Sequence, residues 1–539
     1  MNDPHHTLAL LSRLAARRPE QVPHVEAALR GRLKRLAQVV VDTAVETEGP
    51  IARAAAKQLE TSRSRALCGQ VASLCEEEPL WRSARLLDLA LVATRTFIEL
   101  CRTELGELSE TQQLELANIS LNLSTRLSSR GLHTEALEVL QQAGGVFQLI
   151  AGSDSLESLE HRLIWLNQLS SCLTALGRRE EALSAIELVA EGYRLLYEEN
   201  GEQFLPDLGM GLNNLSGCLS DLGRHEEANE AAREAVSAYR RLAQGQVEKW
   251  GPHLAGALSN LGRTLRDLGR PAEAVAACAE GVELHRELTN VRPDVYAQFL
   301  ALGQINLASA LVECGRITQA AVSVAEAVEI YEGLNGTAEG AFAQQLGASL
   351  TNRCLVLSQL GKWQEAMDHA SRSEEVLREH QSRFPGSVSP DLAEALDALS
   401  RCLAHLGNPQ GALAKIEEAV EIRRRLAAED PGCFEPTLAG TLCNYSYRLT
   451  EQRRSLEAFH AVDEGLRMLI PHFQRLPQRY SGWIKQMVEQ HQEAALAAGL
   501  NPQDTFPEPL VTVLHELEEA WLAPDADLLT AIPTARQNS

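Results

Sequence analysis

In the stretch from Leu208 to Leu222 the apolar positions Leu208, Leu212, Leu215, Leu219 and Leu222 step by four and three, which places all five on one stripe of a helix. A second stripe runs through Ala228, Ala232, Ala235, Tyr239 and Leu242. Between them stands Gly223, where a helix end favours a residue able to turn left-handed, and Pro206 stands where the first helix starts. The pattern predicts a hairpin of two amphipathic helices.

The hairpin then repeats. The turn glycine recurs at Gly131, Gly177, Gly223, Gly269, Gly315, Gly361 and Gly407, always 46 residues apart, and in an eighth copy Arg453 takes its place. A leucine column (Leu127, Leu173, Leu219, Leu265, Leu311, Leu357, Leu403, Leu449) and an alanine column (Ala136, Ala182, Ala228, Ala274, Ala320, Ala366, Ala412, Ala458) keep the same step. Two further columns hold small residues: Ser124, Ser170, Ser216, Gly262, Ala308, Cys354, Ser400 and Ser446 on the first helix, and Ala143, Val189, Ala235, Gly281, Ala327, Ser373, Ala419 and Gly465 on the second. Short side chains let helices approach closely, so these columns mark packing contacts. The fold class that follows is all-α: an α-solenoid, or superhelix, of stacked antiparallel hairpins, with about eight clear repeats and degenerate end units.

Composition narrows the function. In 539 residues the apolar share is 45% but aromatics are only 4%, as expected for Leu- and Ala-rich helices. The net charge of −23 argues against nucleic acid as the main partner. Residues 1–40 depart from it locally, with seven Arg or Lys against three acids, a modest basic patch. Eleven cysteines, an odd number without a C-x-x-C pair or a His at metal spacing, read as buried reduced thiols in a cytoplasmic protein, with no metal and no cofactor. Cys172, Cys218 and Cys402 share a column, which fits packing. The N-terminal apolar run is four residues long, too short for a signal peptide, and no run of eighteen apolar residues suggests a membrane span.

The segment SNLGRTLRDLGRPAEAVAACAEGVEL (Ser259 to Leu284) resembles a tetratricopeptide repeat: Leu261 and Gly262 match its Leu-Gly pair, Gly269 its turn, Ala274 and Gly281 its small positions. The period of 46 exceeds the family's usual 34 and is closer to the extended repeats of kinesin light chains and of bacterial regulatory proteins. The expected organisation is an N-terminal helical region with a degenerate repeat or cap (1–107), the repeat array (108–475), a capping helix (476–499) in which Ile484 continues a leucine column, and a linker, short helix and loose tail (500–539).

No catalytic residues are predicted. The unbroken register leaves no inserted loop, and no phosphate-binding glycine loop, His-Glu metal helix or nucleophile elbow appears. The expectation is a non-enzymatic scaffold or adaptor that binds a partner protein or extended peptide in its groove and regulates a partner effector, with no nucleic-acid or membrane partner. Candidate binding residues are Asn122, Asn214, Asn260, Asn306, Asn352 and Asn444, one column of the first helix, with Gln168 and Ala398 in the other two copies. A side-chain amide offers donor and acceptor together, which suits a peptide main chain, and the resemblance implies the same role for it. The same amide is equally suited to tie adjacent hairpins. Arg263, Arg401 and Tyr447 stand beside the column as selectivity residues, with Arg266, His405, Asp221, Asp267, Asp397 and Glu451 among them. The acids after each turn, Glu180, Glu181, Glu226 and Glu227, read as solvating and helix-capping groups. A second expectation, a peptide-responsive transcription regulator with a repeat sensor, needs an N-terminal helix-turn-helix that residues 1–80 do not clearly supply.

Overall fold

The computed structural model describes residues 87–102, 110–129, 131–149, 155–337, 340–383, 390–475 and 477–501, with residues 29, 40, 54–59, 68, 71 and 505 besides. The basic N-terminal stretch, most of the degenerate repeat at 49–101, and the expected short helix and tail after 505 lie outside the described residues. The chain divides into two compact units, Met1–Glu199 and Asn200–Ser539.

The first unit holds α1 (Leu87–Arg102), α2 (Glu110–Ser129), α3 (His133–Leu149), α4 (Leu156–Ala175) and α5 (Arg179–Asn200). The second opens on a 3-10 turn, Glu202–Phe204. It continues through α6 (Leu205–Asp221), α7 (His225–Ala243), α8 (Val247–Asp267), α9 (Pro271–Val291), α10 (Pro293–Glu313) and α11 (Ile317–Thr337). It ends with α12 (Ala343–Gln359), α13 (Trp363–Arg383), α14 (Pro390–His405), α15 (Pro409–Glu429), α16 (Pro431–Glu451), α17 (Ser455–Arg475) and α18 (Pro477–Ala497). The chain is an all-α solenoid of hairpins, each helix of the second unit packed on the next.

Each hairpin closes by one device. The turn glycines all lie at φ between 68° and 79°, where an L side chain is strained, and Arg453 takes φ 60° in the eighth copy. The amide after the glycine bonds back to the leucine-column carbonyl: Arg224 N to Leu219 O at 2.9 Å, Arg270 to Leu265 at 2.8 Å, Arg454 to Leu449 at 3.0 Å. This is the six-to-one bond that ends a helix on a left-handed residue. The side chain of that same residue then clamps the next helix. Arg178, Arg224, Arg270 and Arg454 each hold the carboxylate three residues on with two bonds of 2.5–2.8 Å, and Lys362 holds Glu365 at 3.0 Å. Glu181 and Glu227 are therefore paired groups as well as dipole partners.

The alanine column is the tightest point of the hairpin, with all eight members fully buried. A side chain at Gly262 would meet Cys278 Sγ at 2.3 Å, and one at Gly465 would meet Ala439 O at 3.0 Å, so the small columns are steric requirements. Prolines at one repeat position behave in two ways. Pro206 and Pro390 open α6 and α14, whereas Pro252 and Pro436 lie inside α8 and α16, which begin a turn earlier. At the sixth residue of a helix a proline removes only one ladder bond, which an added turn offsets.

Second helices are joined by a charge ladder in which residue i pairs with residue i+40. Arg240 meets Glu280 at 2.7 Å, Arg286 meets Glu326 at 2.9 Å, Arg378 meets Glu418 at 2.7 Å and Arg424 meets Glu464 at 2.7 Å. In the middle rung the polarity is reversed, Glu332 facing Arg372 at 3.2 Å. At the C-terminal end α18 covers the last hairpin with Ile484, Met487 and Val488 buried against it.

One helix among the described residues, α10, is long and apolar enough to cross a membrane by length and mean hydropathy (1.4). Here it packs between α9 and α11, and its buried Gln304 donates to Glu326 at 2.6 Å.

Candidate functional site

The asparagine column divides by what its neighbour offers. Asn260 Nδ2 donates to Asn213 Oδ1 at 2.9 Å, and Asn444 Nδ2 donates to both carboxylate oxygens of Asp397 at 3.0 and 3.2 Å. Both bonds run to the first helix of the preceding hairpin, so in these copies the amide is a tie between hairpins. In the first unit Gln168, the copy without Asn, accepts from Ser124 Oγ at 2.8 Å. Asn306 and Asn352 are partly buried and make no hydrogen bond among the described residues. The residue that Asn352 would reach on the preceding hairpin is Ile305, which has nothing to accept. Asn214 is partly buried and engaged, and Asn122 is exposed and engaged.

Among the described residues, two clefts lie on this face of the second unit. The first, of about 240 Å³, is lined by Ser259, Asn260, Arg263, Arg266, Cys278 and Asn306. The second, of about 430 Å³, is lined by Arg401, Asn444 and Asp397 with Glu394, Arg423, Trp483, Gly440, Gln486 and others. Their matching members lie three periods apart: Ser259 and Asp397, Arg263 and Arg401, Asn306 and Asn444. The same point in the repeat therefore opens twice, each time beside an arginine, while the copies between carry Ser309 and Leu355 at that position. Between the clefts α10 exposes Leu302, at the repeat position that Glu394 and Gly440 hold in the second cleft, and Phe299 beside it.

The arginines are loosely held. Arg263 Nη1 lies 3.9 Å from Asp221, and Arg401 Nε lies 3.9 Å from Asp397 and is buried without a hydrogen bond. Arg266, by contrast, is tied to Glu313 at 2.5 Å. Of the other flanking residues, Asp267 accepts from Ser220 at 2.8 Å, Glu451 pairs with Arg448 at 2.9 Å, and His405 stacks on Trp363 with ring centres 3.7 Å apart. Tyr447 packs against the core of the last hairpin, where burial pushes its phenol up.

Arg423 is the site residue that the leucine, alanine and asparagine columns do not reveal. Its position on the second helix is otherwise Phe147, Tyr193, Tyr239, His285, Tyr331, Leu377 and Leu469, every one buried. Arg423 Nη1 donates to Thr437 O at 3.0 Å and to Thr441 Oγ1, and burial lowers its pKa. The signal was in the sequence as one charge in an aromatic and leucine column. Trp483 has no such signal: α18 keeps the register, ending on Gly499 at φ 73° with Leu500 N bonded to Ala495 O at 2.9 Å, but the column of Trp483 mixes Asp207, His253, Phe299, Asp391 and Thr437.

Residues 210–244 and 254–294 match the tetratricopeptide repeat family. No curated protein matches the chain. Among solved structures, BtubC (BKLC) from P. vanneervenii is 21% identical, covering 45% of this chain and 90% of its own, with a TM-score of 0.37. A Rap protein complexed with Competence and Sporulation Factor is 14% identical over 76% of this chain and 99% of its own (TM-score 0.38). The apo form of the quorum sensor NprR from B. thuringiensis is 12% identical over 70% and 93% (TM-score 0.44).

Proposed function

This chain is a tetratricopeptide-repeat protein, and from that premise we propose that it is a non-enzymatic scaffold or adaptor whose second unit binds an extended segment of a partner protein along its first helices. The observation that carries the reading is the pair of repeat-equivalent clefts, each with a loosely held arginine. Between them the exposed Phe299 and Leu302 supply apolar surface, giving an alternation of polar and apolar footholds that a linear segment matches with alternate side chains. Asn306 and Asn352 are the column members with amides still available to a peptide main chain. A cytoplasmic setting and the regulation of a partner effector belong to the same proposal, the first supported by seven buried free thiols. The transcription-regulator reading has no observation in its favour, since its DNA-binding segment falls outside the described residues.

The test is selection of a random linear peptide library on the full chain, followed by titration of the enriched peptides against Arg263→Ala and Arg401→Ala. Loss of a charged hydrogen bond at either cleft should weaken binding about ten-fold or more, with melting unchanged. A library that enriches nothing, or peptides that bind both variants as tightly as the parent, would remove the groove as the binding surface.

A further inference from the structure

One joint of the array brings two thiols into contact. Cys354 of α12 and Cys402 of α14 stand 48 residues apart, both fully buried and free, with their Sγ atoms 3.5 Å from each other. Two columns meet there: Cys354 stands in the small-residue column of the first helices, and Cys402 in the column of Cys172 and Cys218. Other copies fill the same two positions with Ser124 and Cys172, Ser170 and Cys218, or Ser400 and Arg448, and no other copy has cysteine at both. Cys172 shows the ordinary use of such a thiol, donating to His133 O at 3.1 Å. Around the pair pack Leu357, Ala366, Ala370, Ala398 and Leu399. A hydrogen bond from Cys354, with the Arg401 guanidinium nearby, brings the Cys402 thiol down to about 7, while the same bond and burial push Cys354 up. Cys402 is therefore the thiolate, and the nucleophile, of the two.

We propose that Cys354 and Cys402 are a redox pair: hydrogen peroxide converts them to a disulfide that ties the sixth hairpin (α12 and α13) to the seventh (α14 and α15), and a dithiol reductant releases it. The Cys402 thiolate attacks one peroxide oxygen and the O–O bond breaks. The departing hydroxide takes the proton that Cys402 has shed and leaves as water, and Cys402 becomes a sulfenic acid. Cys354 Sγ then attacks Cys402 Sγ, the S–O bond breaks, and the hydroxide released takes the Cys354 proton as a second water. The two sulfurs lose two electrons and the peroxide gains them. Closing the sulfurs to a bond of about 2.0 Å asks for side-chain rotation and a small approach of α12 and α14, which already pack on each other. Peroxide is small enough to reach them through local opening between hairpins. The joint lies between the first cleft, built on α8, α9 and α10, and the second, built on α14, α15, α16 and α18, so the bond fixes how rigidly one is held against the other. Linking residues so far apart in the chain also restricts the unfolded state, which raises the melting temperature.

The test exposes the full folded chain to hydrogen peroxide, alkylates the remaining thiols and digests with trypsin. Cleavage after Arg353, Lys362, Arg401 and Lys415 puts the two cysteines on peptides 354–362 and 402–415. Mass spectrometry should find these peptides joined, lighter than their sum by two hydrogens, and separate again after dithiothreitol. The joined form should predominate over every other pairing among the eleven cysteines. The oxidised chain should melt several degrees higher than the same sample after dithiothreitol. Cys354→Ala, which installs the residue of Ala308, should fold and lose both the joined peptide and the gain in melting temperature. If that variant does not fold, Cys354→Ser decides, since five other copies carry serine in this column. Oxidation of Cys402 that stops at sulfenic or sulfinic acid would overturn the redox pair, as would thiols left untouched by hydrogen peroxide and oxidised glutathione alike. A joined peptide in a chain that melts no higher than its reduced form would overturn it too, because the bond would then be strained against the fold.

Discussion

At Asn260 and Asn444 the same residue type does a different job from that at Asn306 and Asn352, and the difference lies one residue off the column. The preceding hairpin presents Asn213 and Asp397 to the first pair but Ser259 to Asn306 and Ile305 to Asn352, so the tie forms opposite an amide or carboxylate and not opposite the short hydroxyl or the apolar side chain. Replacing Asn260 and Asn444 with Ala should therefore lower stability by about 0.5–1.5 kcal/mol per lost bond, whereas replacing Asn306 and Asn352 should leave circular-dichroism melting unchanged. Melting curves that fall equally for both pairs would contradict this division. Arg453 gives an independent check on the turn. An L residue in the left-handed region costs about 1–2 kcal/mol relative to a relaxed backbone, so Arg453→Gly should raise the unfolding midpoint in urea. A midpoint that drops would mean that the arginine side chain contributes more than its backbone strain removes.

Hairpins are the level at which the sequence speaks most plainly. Leucine, alanine and glycine columns spaced by 46 residues specify two helices, a left-handed turn and a close contact, and each is found where the columns put it. What joins one hairpin to the next is less legible, because pairs such as Arg286 and Glu326 lie 40 residues apart and follow no single-helix period. The cleft was half legible. Arg263, Arg401, Asn306 and Asn444 stand at equivalent repeat positions, and Arg423 breaks its column, but Trp483 stands in a column of mixed polar and apolar residues that marks no face. The reversed rung offers a test between elements. Glu332→Arg alone sets two arginines face to face and should destabilise by a few tenths to about 1 kcal/mol at low salt, and adding Arg372→Glu should recover the loss. If the double variant is no better than the single one, the rung is incidental, and the effect should in any case fade as salt screens it.

For the whole array the ladder turns modularity into a question of where the cut falls. A repeat protein whose units touch mainly their neighbours should survive loss of one full period. Two 46-residue deletions, 315–360 and 331–376, remove the same length and both splice a position onto its repeat equivalent. The first leaves Arg286 opposite Arg372, since Glu326 is lost. The second removes Glu332 and Arg372 together and leaves Arg286 on Glu326 and Arg378 on Glu418. The 331–376 deletion should therefore be the more stable chain, and Arg372→Glu should narrow the gap by rescuing the 315–360 deletion alone. Both shortened chains bring Arg263 and Arg401 from three periods apart to two, so peptides selected on the full chain to span both clefts should bind them at least ten-fold more weakly while helical melting stays cooperative. Urea unfolding of the two deletions, and of the 315–360 deletion carrying Arg372→Glu, reads the first effect, and anisotropy with the selected peptides reads the second. Equal stability of the two deletions and no rescue would show that the ladder does not set hairpin order, and unweakened peptide binding would show that the two clefts do not act on one ligand.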